Sequence, residues 1–227
     1  IVTSNSYLDV AYGYELQKFF LNNFKIVTII ESRCEPWFED VAVNTVVTIL
    51  ERCSNNSERE NNLVKFIKLK KKLSELIPWD MKLDFQKRWQ GLNLLAHKIE
   101  HSGDEYSVIK DGKIVSKLNG VKTIEDDDSR IRIKTQSELL EEVNQAGKTV
   151  KWGQYLRAPE VYFEILKKCK DKLIPMNKIA DVRFGGKTGI NEFFYLDEEK
   201  IKHWKIEKEF LKPIVSSPKE IENIFIN

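Results

Sequence analysis

The 227-residue sequence predicts an α/β fold that begins as half of an open sheet and ends in a mixed α+β segment. Three observations carry this. Residues 1–53 read in order as strand, helix, strand, short aromatic loop and strand. The loop from Arg33 to Ala42 is too short for a helical crossover, so the last two strands are expected to pair antiparallel. The pattern then changes from charged helix to glycine-punctuated strand near Gly147 and Gly153, which marks a boundary.

Ile1 to Ser6 suits a short buried strand. Tyr12, Leu16, Phe19, Phe20 and Phe24 recur at helical spacing, with Gln17, Lys18, Asn22 and Asn23 on the other side. Lys25 to Ser32 is the second strand. In the run Val43 to Leu50 the residues Val43, Thr45, Val47 and Ile49 point one way and Asn44, Val46, Thr48 and Leu50 the other. Both sets are largely apolar, which predicts an interior strand covered on both sides. Trp37 and Phe38 precede it, at the rim where open sheets often keep ligand sites.

The middle of the chain is more ambiguous. Residues 54–62 are polar and read as a surface loop. Between Leu63 and Leu76, Lys65, Lys68, Lys70, Lys71 and Lys72 interleave with Phe66, Ile67 and Leu69, which fits either a phosphate-contacting face or a solvated one. Residues 81–101 suggest a helix carrying His97 and His101 four apart, without the carboxylate or thiolate company a metal site needs. Asp111-Gly112 is a hairpin-turn signal, and Ser129 to Lys134 alternates as a strand. Thr135 and Glu138 form a capping-box pattern ahead of Leu139 and Leu140. Pro159 suits the first turn of a helix running to about Leu173, with Val161, Ile165 and Leu166 on its buried side. Residues 179–196 read as two strands joined by a glycine-rich loop, the second covering Phe193 to Leu196.

Composition excludes several classes. With 37 basic and 35 acidic residues the net charge is +2, so any affinity for nucleic acid has to come from local patches. Cys34, Cys53 and Cys169 are odd in number and widely spaced, which argues against a disulfide framework or structural zinc and for a reducing, cytoplasmic setting. No apolar run is long enough to span a membrane. The chain starts within a strand, without a methionine, and stops inside a patterned stretch, so it is expected to be a piece of a longer protein. Gly185-Gly186-Lys187-Thr188 is not a phosphate-binding loop, because the first glycine of that motif would fall at Asp181.

Trp37-Phe38 followed by Val43 and Thr45 resembles motif VIII of the amino-methyltransferases that methylate adenine at N6 in DNA. The stretches Ile1 to Leu8, Tyr12-Gly13 and Leu16 to Leu21 are similar to the segment after that family's catalytic motif. Lys151-Trp152-Gly153, Leu156 to Pro159, residues 179–196 and Phe210 to Glu220 resemble the start of its target-recognition domain. This order is that of the gamma class, the Taq-type and single-chain restriction-modification enzymes.

The resemblance implies the C-terminal half of a Rossmann-like methyltransferase sheet over residues 1–53, an insertion or helical connector over 54–150, and the start of a mixed α+β recognition domain over 151–227. It implies S-adenosylmethionine as methyl donor, double-stranded DNA as partner and a possible fused nuclease or restriction subunit. It places Phe38 against a flipped-out adenine, with Trp37 shaping the pocket wall. Ser4, Asn5 and Ser6 sit at a strand's carboxyl end, where they either position a substrate or cap the following turn. Arg183, Lys187, Thr188 and Asn191 are candidate DNA contacts, the alternative being a glycine hairpin that touches nothing. The catalytic Asn-Pro-Pro-Tyr motif and the glycine-rich donor loop are absent and expected upstream of Ile1, so the segment alone is expected to be inactive. The competing functional reading is a DNA-specificity module without catalysis.

Overall fold

The structure is a computed structural model that describes residues 1–38, 44–77, 85–103, 114–118, 121–148, 150–169, 171–181 and 188–215. The chain divides into two units, residues 1–173 and 174–227.

The first unit is built on a seven-stranded mixed sheet in the order β1-β3-β2-β4-β7-β6-β5. Its strands are β1 (Val2–Ser4), β2 (Phe24–Ser32), β3 (Thr45–Arg52), β4 (Leu63–Leu69), β5 (Ile114–Leu118), β6 (Val121–Glu125) and β7 (Ser129–Thr135). As the short aromatic loop requires, β3 runs antiparallel to β2, and it is also antiparallel to β1, so β1 and β2 are parallel to each other. The strand β4 runs parallel to β2, and β7, β6 and β5 follow antiparallel.

Helices α1 (Gly13–Asn23), α5 (Gln136–Ala146), α6 (Gly153–Arg157) and α7 (Glu160–Lys168) supply one side of the main core. There Phe20, Leu21, Leu139, Val143, Trp152, Leu156 and Phe163 bury against Ile29, Val46, Val64 and Phe66. The opposite face carries a smaller cluster, Ile67, Leu69, Ile124, Ile131 and Ile133, with Ile30, Trp37, Leu76 and Ile99 packed on it. Ile99 belongs to the helix α4 (Phe85–Glu100) and Leu76 to the short α3 (Leu73–Leu76), while the short α2 (Asn56–Glu60) lies between β3 and β4 in the chain. The capping box is realised: the Thr135 hydroxyl accepts from Glu138 N and the Glu138 carboxylate from Thr135 N. Gly147 ends α5 in the left-handed region at φ 68°, which glycine adopts without steric cost.

Several expectations need correction. The residues read as a connector are part of the sheet, since β4 lies between β2 and β7. Three of the lysines in this stretch are engaged within the fold: Lys68 pairs with Glu31, and, just beyond the strand, Lys70 with Glu125 and Lys71 with Asp128. β3 is interior by pairing but is not covered on both faces. Val46 and Thr48 are buried while Ile49 is 44% exposed, because the core helices lie on the Val46 side. On α1, Gln17 is buried and Tyr12 and Phe19 are exposed. The Gln17 amide donates to the carbonyls of Tyr7 and Val150, which makes its burial tolerable. On α7 the buried ring is Phe163, whereas Val161 and Ile165 are exposed.

The largest correction concerns the boundary, which falls at Leu173 rather than near residue 151. On the main-core face of β7, three cations stand beneath the segment 150–163. Arg130 Nη2 donates to Leu156 O (2.7 Å), Arg132 Nη1 to Tyr155 O (3.2 Å) and Lys134 to the carboxylate of Glu142. The α6 carbonyls lack partners within their own helix, and these guanidinium groups satisfy them. Arg132 is fully buried, pairs with Glu160 and lies 4.6 Å from the Phe163 ring. Burial and the neighbouring Arg130 pull its pKa down to about 10, so it remains charged at neutral pH. Trp152 and Tyr155 pack on Phe66.

In the second unit, one turn of helix, α8 (Asn191–Phe194), and α9 (Glu198–Trp204) are described. Phe193 and Phe194 are thus helical rather than strand. The amides of Phe193 and Phe194 both donate to Ile190 O, and the Thr188 hydroxyl donates to Asn191 Oδ1, closing the turn. Asp197 caps α9 by accepting from Lys200 N at 2.8 Å. The two helices and residues 206–214 enclose an open cavity of about 920 Å³ walled by Phe193, Phe194, Trp204 and Phe210.

The Asp111-Gly112 signal lies outside the described residues. Among the described residues, β5 and β6 pair antiparallel with Leu118 opposite Val121.

Candidate functional site at the carboxyl rim of the sheet

The register brings the carboxyl ends of β1, β2 and β4 to one rim, beside the amino ends of β3 and β7. Ser4 faces Thr45, Ser32 faces Leu69, and Leu69 faces Ser129. The described part of the aromatic loop, residues 33–38, leaves β2 at this rim. On the β4 side Arg33 N donates to Leu69 O (2.9 Å), Cys34 Sγ to Lys70 O (2.5 Å) and Leu73 N to Glu35 Oε1 (2.7 Å). On the β1 side Asn5 N donates to Asn44 O (2.9 Å). Arg33, Cys34 and Glu35 are thus tied to the β4 side of the rim, and Asn44, ahead of β3, to the β1 side.

Its two rings differ in environment. Trp37 is half-buried and packs on the second cluster. Its Nε1 and the nearby-in-sequence Thr45 Oγ1 are buried without a partner among the described residues. Phe38 is 49% exposed, and a phenyl ring left half in water makes a stacking surface available at low desolvation cost. Ser4 behaves as a cap: its Oγ accepts from Ser6 N, and the Ser4 and Ser6 hydroxyls bond each other at 2.8 Å.

Asn5 does something else. Its Nδ2 donates to Glu31 Oε1 at 2.8 Å. Glu31 is buried, and also accepts from Lys68 Nζ (2.8 Å) and from Arg157 Nε and Nη2 (3.2 and 3.0 Å). Burial acts to raise the Glu31 pKa. The hydrogen bonds from Arg157, Lys68 and Asn5 outweigh it and hold the carboxyl below the usual glutamate range. Arg157 in turn reaches Asp9. Sequence reading missed Glu31, although one signal was present: strand alternation puts it on the face of Ile29, where an unpaired carboxylate would not be tolerated.

These residues do not by themselves fit a methyl donor. The donor carries an ammonium and ribose hydroxyls, which call for an accessible acidic acceptor. The buried carboxylate described at this rim, Glu31, is already engaged by Asn5, Lys68 and Arg157. Among the described residues no group of three or more His, Cys, Asp or Glu side chains is placed to hold a metal ion, and His97 and His101 simply lie ring against ring at 4.2 Å. No helix among them is long and apolar enough to cross a membrane.

Of the candidate DNA contacts, Thr188 and Asn191 are brought together at the start of α8, 2.5 Å apart. Arg183 and Lys187 lie outside the described residues. Compared with known proteins, the chain matches no family model and no curated protein.

Proposed function

We propose that this chain is part of a site-specific DNA adenine-N6 methyltransferase, the part that receives the extruded base. The observation that carries the reading is Phe38: a half-exposed ring in the segment that follows β2 and is tied to the end of β4 at the rim. The strand order supports it, because β3 lies antiparallel between two mutually parallel strands, an arrangement that fits the terminal strands of a Rossmann-like methyltransferase sheet. Adenine must leave the duplex to be modified, and a flipped base needs a new stacking partner. Phe38 supplies that face. S-adenosylmethionine and the Asn-Pro-Pro-Tyr motif belong, in this proposal, to chain preceding Ile1. The second unit is the start of the target-recognition domain, with Thr188, Asn191, Arg183 and Lys187 toward DNA.

The test is Phe38→Ala in the full-length protein. Loss of a stacking surface worth about 1–3 kcal/mol per base should lower methylation of duplex DNA by about one to two decades. The loss should shrink when the target adenine is mismatched, since less extrusion work has to be recovered. Full activity of Phe38→Ala on duplex DNA would show that the ring is packing only. A full-length protein that binds its site without methylating it would assign the chain to a specificity module instead.

A further inference from the structure

The chain holds two lysine-rich runs, and the fold treats them oppositely. In residues 63–72, Lys65 donates to the Glu100 carbonyl, Lys68 pairs with Glu31, Lys70 with Glu125 and Lys71 with Asp128. Residues 167–172 carry four lysines and one aspartate, a net +3 in a chain whose total is +2. There Lys167, Lys168 and Lys172 are all exposed. Lys168 reaches Glu164, one turn back, at 3.5 Å with side chains 76% and 45% exposed, a pairing that contributes little. Among the described residues, Lys167 and Lys172 have no acidic partner.

Lys167 and Lys168 fall in the last turn of α7, where a cation complements the helix dipole. Lys172 lies beyond the helix, in a turn closed by its own N–H and that of Leu173 on Cys169 O, at 2.8 and 3.0 Å. The dipole therefore does not account for the whole run. The helix beneath it is firmly seated, since Phe163 is buried against Tyr155 and Arg132. By contrast, the lysines between residues 200 and 212 share their stretch with Glu198, Glu199, Glu207 and Glu209.

Resting on DNA as the partner in the function proposed above, we propose that Lys167, Lys168 and Lys172 form a phosphate-binding patch that holds the backbone of duplex DNA. A cation that meets only water and counterions in the free protein releases those counterions on binding phosphate. Such contacts fix the position of the duplex and carry no sequence information.

The experiment uses the full-length protein and duplex DNA of arbitrary sequence, with affinity measured over a range of salt concentrations. The combined variant Lys167→Gln, Lys168→Gln and Lys172→Gln should lessen the slope of log affinity against log salt by about 3, one for each phosphate contact removed. Arg at the same three positions keeps the charge and should keep the wild-type slope. A constant fraction of inactive protein shifts the intercept and leaves the slope. A fall of less than about 1, the share of a single contact, overturns the proposal. Vesicles of phosphatidylserine form the second arm: if the Gln variant loses vesicle binding and keeps its DNA slope, the patch belongs to a lipid surface and the proposal fails. The two readings fail separately. A wild-type protein that binds DNA through these lysines without methylating it removes methyl transfer and leaves the patch. One that methylates adenine with a slope indifferent to the lysines removes the patch alone. A wild-type protein that binds no DNA overturns both.

Discussion

Glu31→Ala is the sharpest test of the rim. The side chain is 4% exposed and its two cationic partners, Lys68 and Arg157, are 16% and 36% exposed. Removing one partner of a buried ion pair typically costs about 3–5 kcal/mol, because the remaining charge is left uncompensated. Here Arg157 keeps Asp9 and is a third open to water, so the lower end, about 3 kcal/mol, is expected. With a urea m-value of about 2–3 kcal/mol/M, the unfolding midpoint should drop by about 1–1.5 M, followed by circular dichroism of the sheet. Lys68→Met should cost less, since Glu31 retains Arg157 and Asn5. The pH dependence has a defined sign. The folded pKa of Glu31 is depressed, so between it and the unfolded value of about 4.3 the unfolded chain binds more protons. The stabilisation is complete above that value and is lost as pH falls through the folded pKa. Glu31→Gln should flatten this acid limb without abolishing it, because Asp126 and Asp128 are also depressed. A midpoint shift below about 0.3 M for Glu31→Ala, at an m-value of about 2–3 kcal/mol/M, would refute the view that the cluster is held by charge.

Two further substitutions test the fold. Trp152→Ala should destabilise the sheet by about 3–5 kcal/mol, as a fully buried indole packed on Phe66 is lost; sheet unfolding unaffected by it would return residues 151–169 to a separate domain. Thr135→Ala removes one half of the capping box and should cost about 1 kcal/mol, read as a lower midpoint in urea, with Thr135→Ser recovering most of it.

The elements legible in the sequence were those specified by their own residues. The strand-helix-strand-strand start follows from local periodicity and from a loop too short for a crossover, and the capping box needs only Thr135 and Glu138. The illegible parts depend on partners distant in the chain. β4 looks like a basic surface because Lys68 meets Glu31 and Lys65 reaches the Glu100 carbonyl, pairings that composition cannot show. Segment 151–169 looks like the start of a new domain because the groups that bind it, Arg130, Arg132 and Lys134, alternate along a strand like solvent-facing residues.

At the rim the split between local and non-local information falls within a single tripeptide. Ser4 does what its residue type favours, and caps, with the Ser6 hydroxyl bonded to its own. Asn5 between them is turned to a different use by Glu31, twenty-six positions away, and by the cations behind it. The same reasoning bears on how the chain would hold DNA. Lys68, Lys70, Lys71, Lys98, Arg130, Arg132, Lys134 and Arg157 are all engaged with acidic side chains or backbone carbonyls of the first unit. A cation already satisfied inside the fold releases little counterion on meeting phosphate and adds little to affinity. On the proposed function, these eight cations therefore add little to phosphate binding. The salt dependence of DNA binding should accordingly change on neutralising Lys212, which lines the cavity of the second unit, and stay the same on replacing Lys71 by Met.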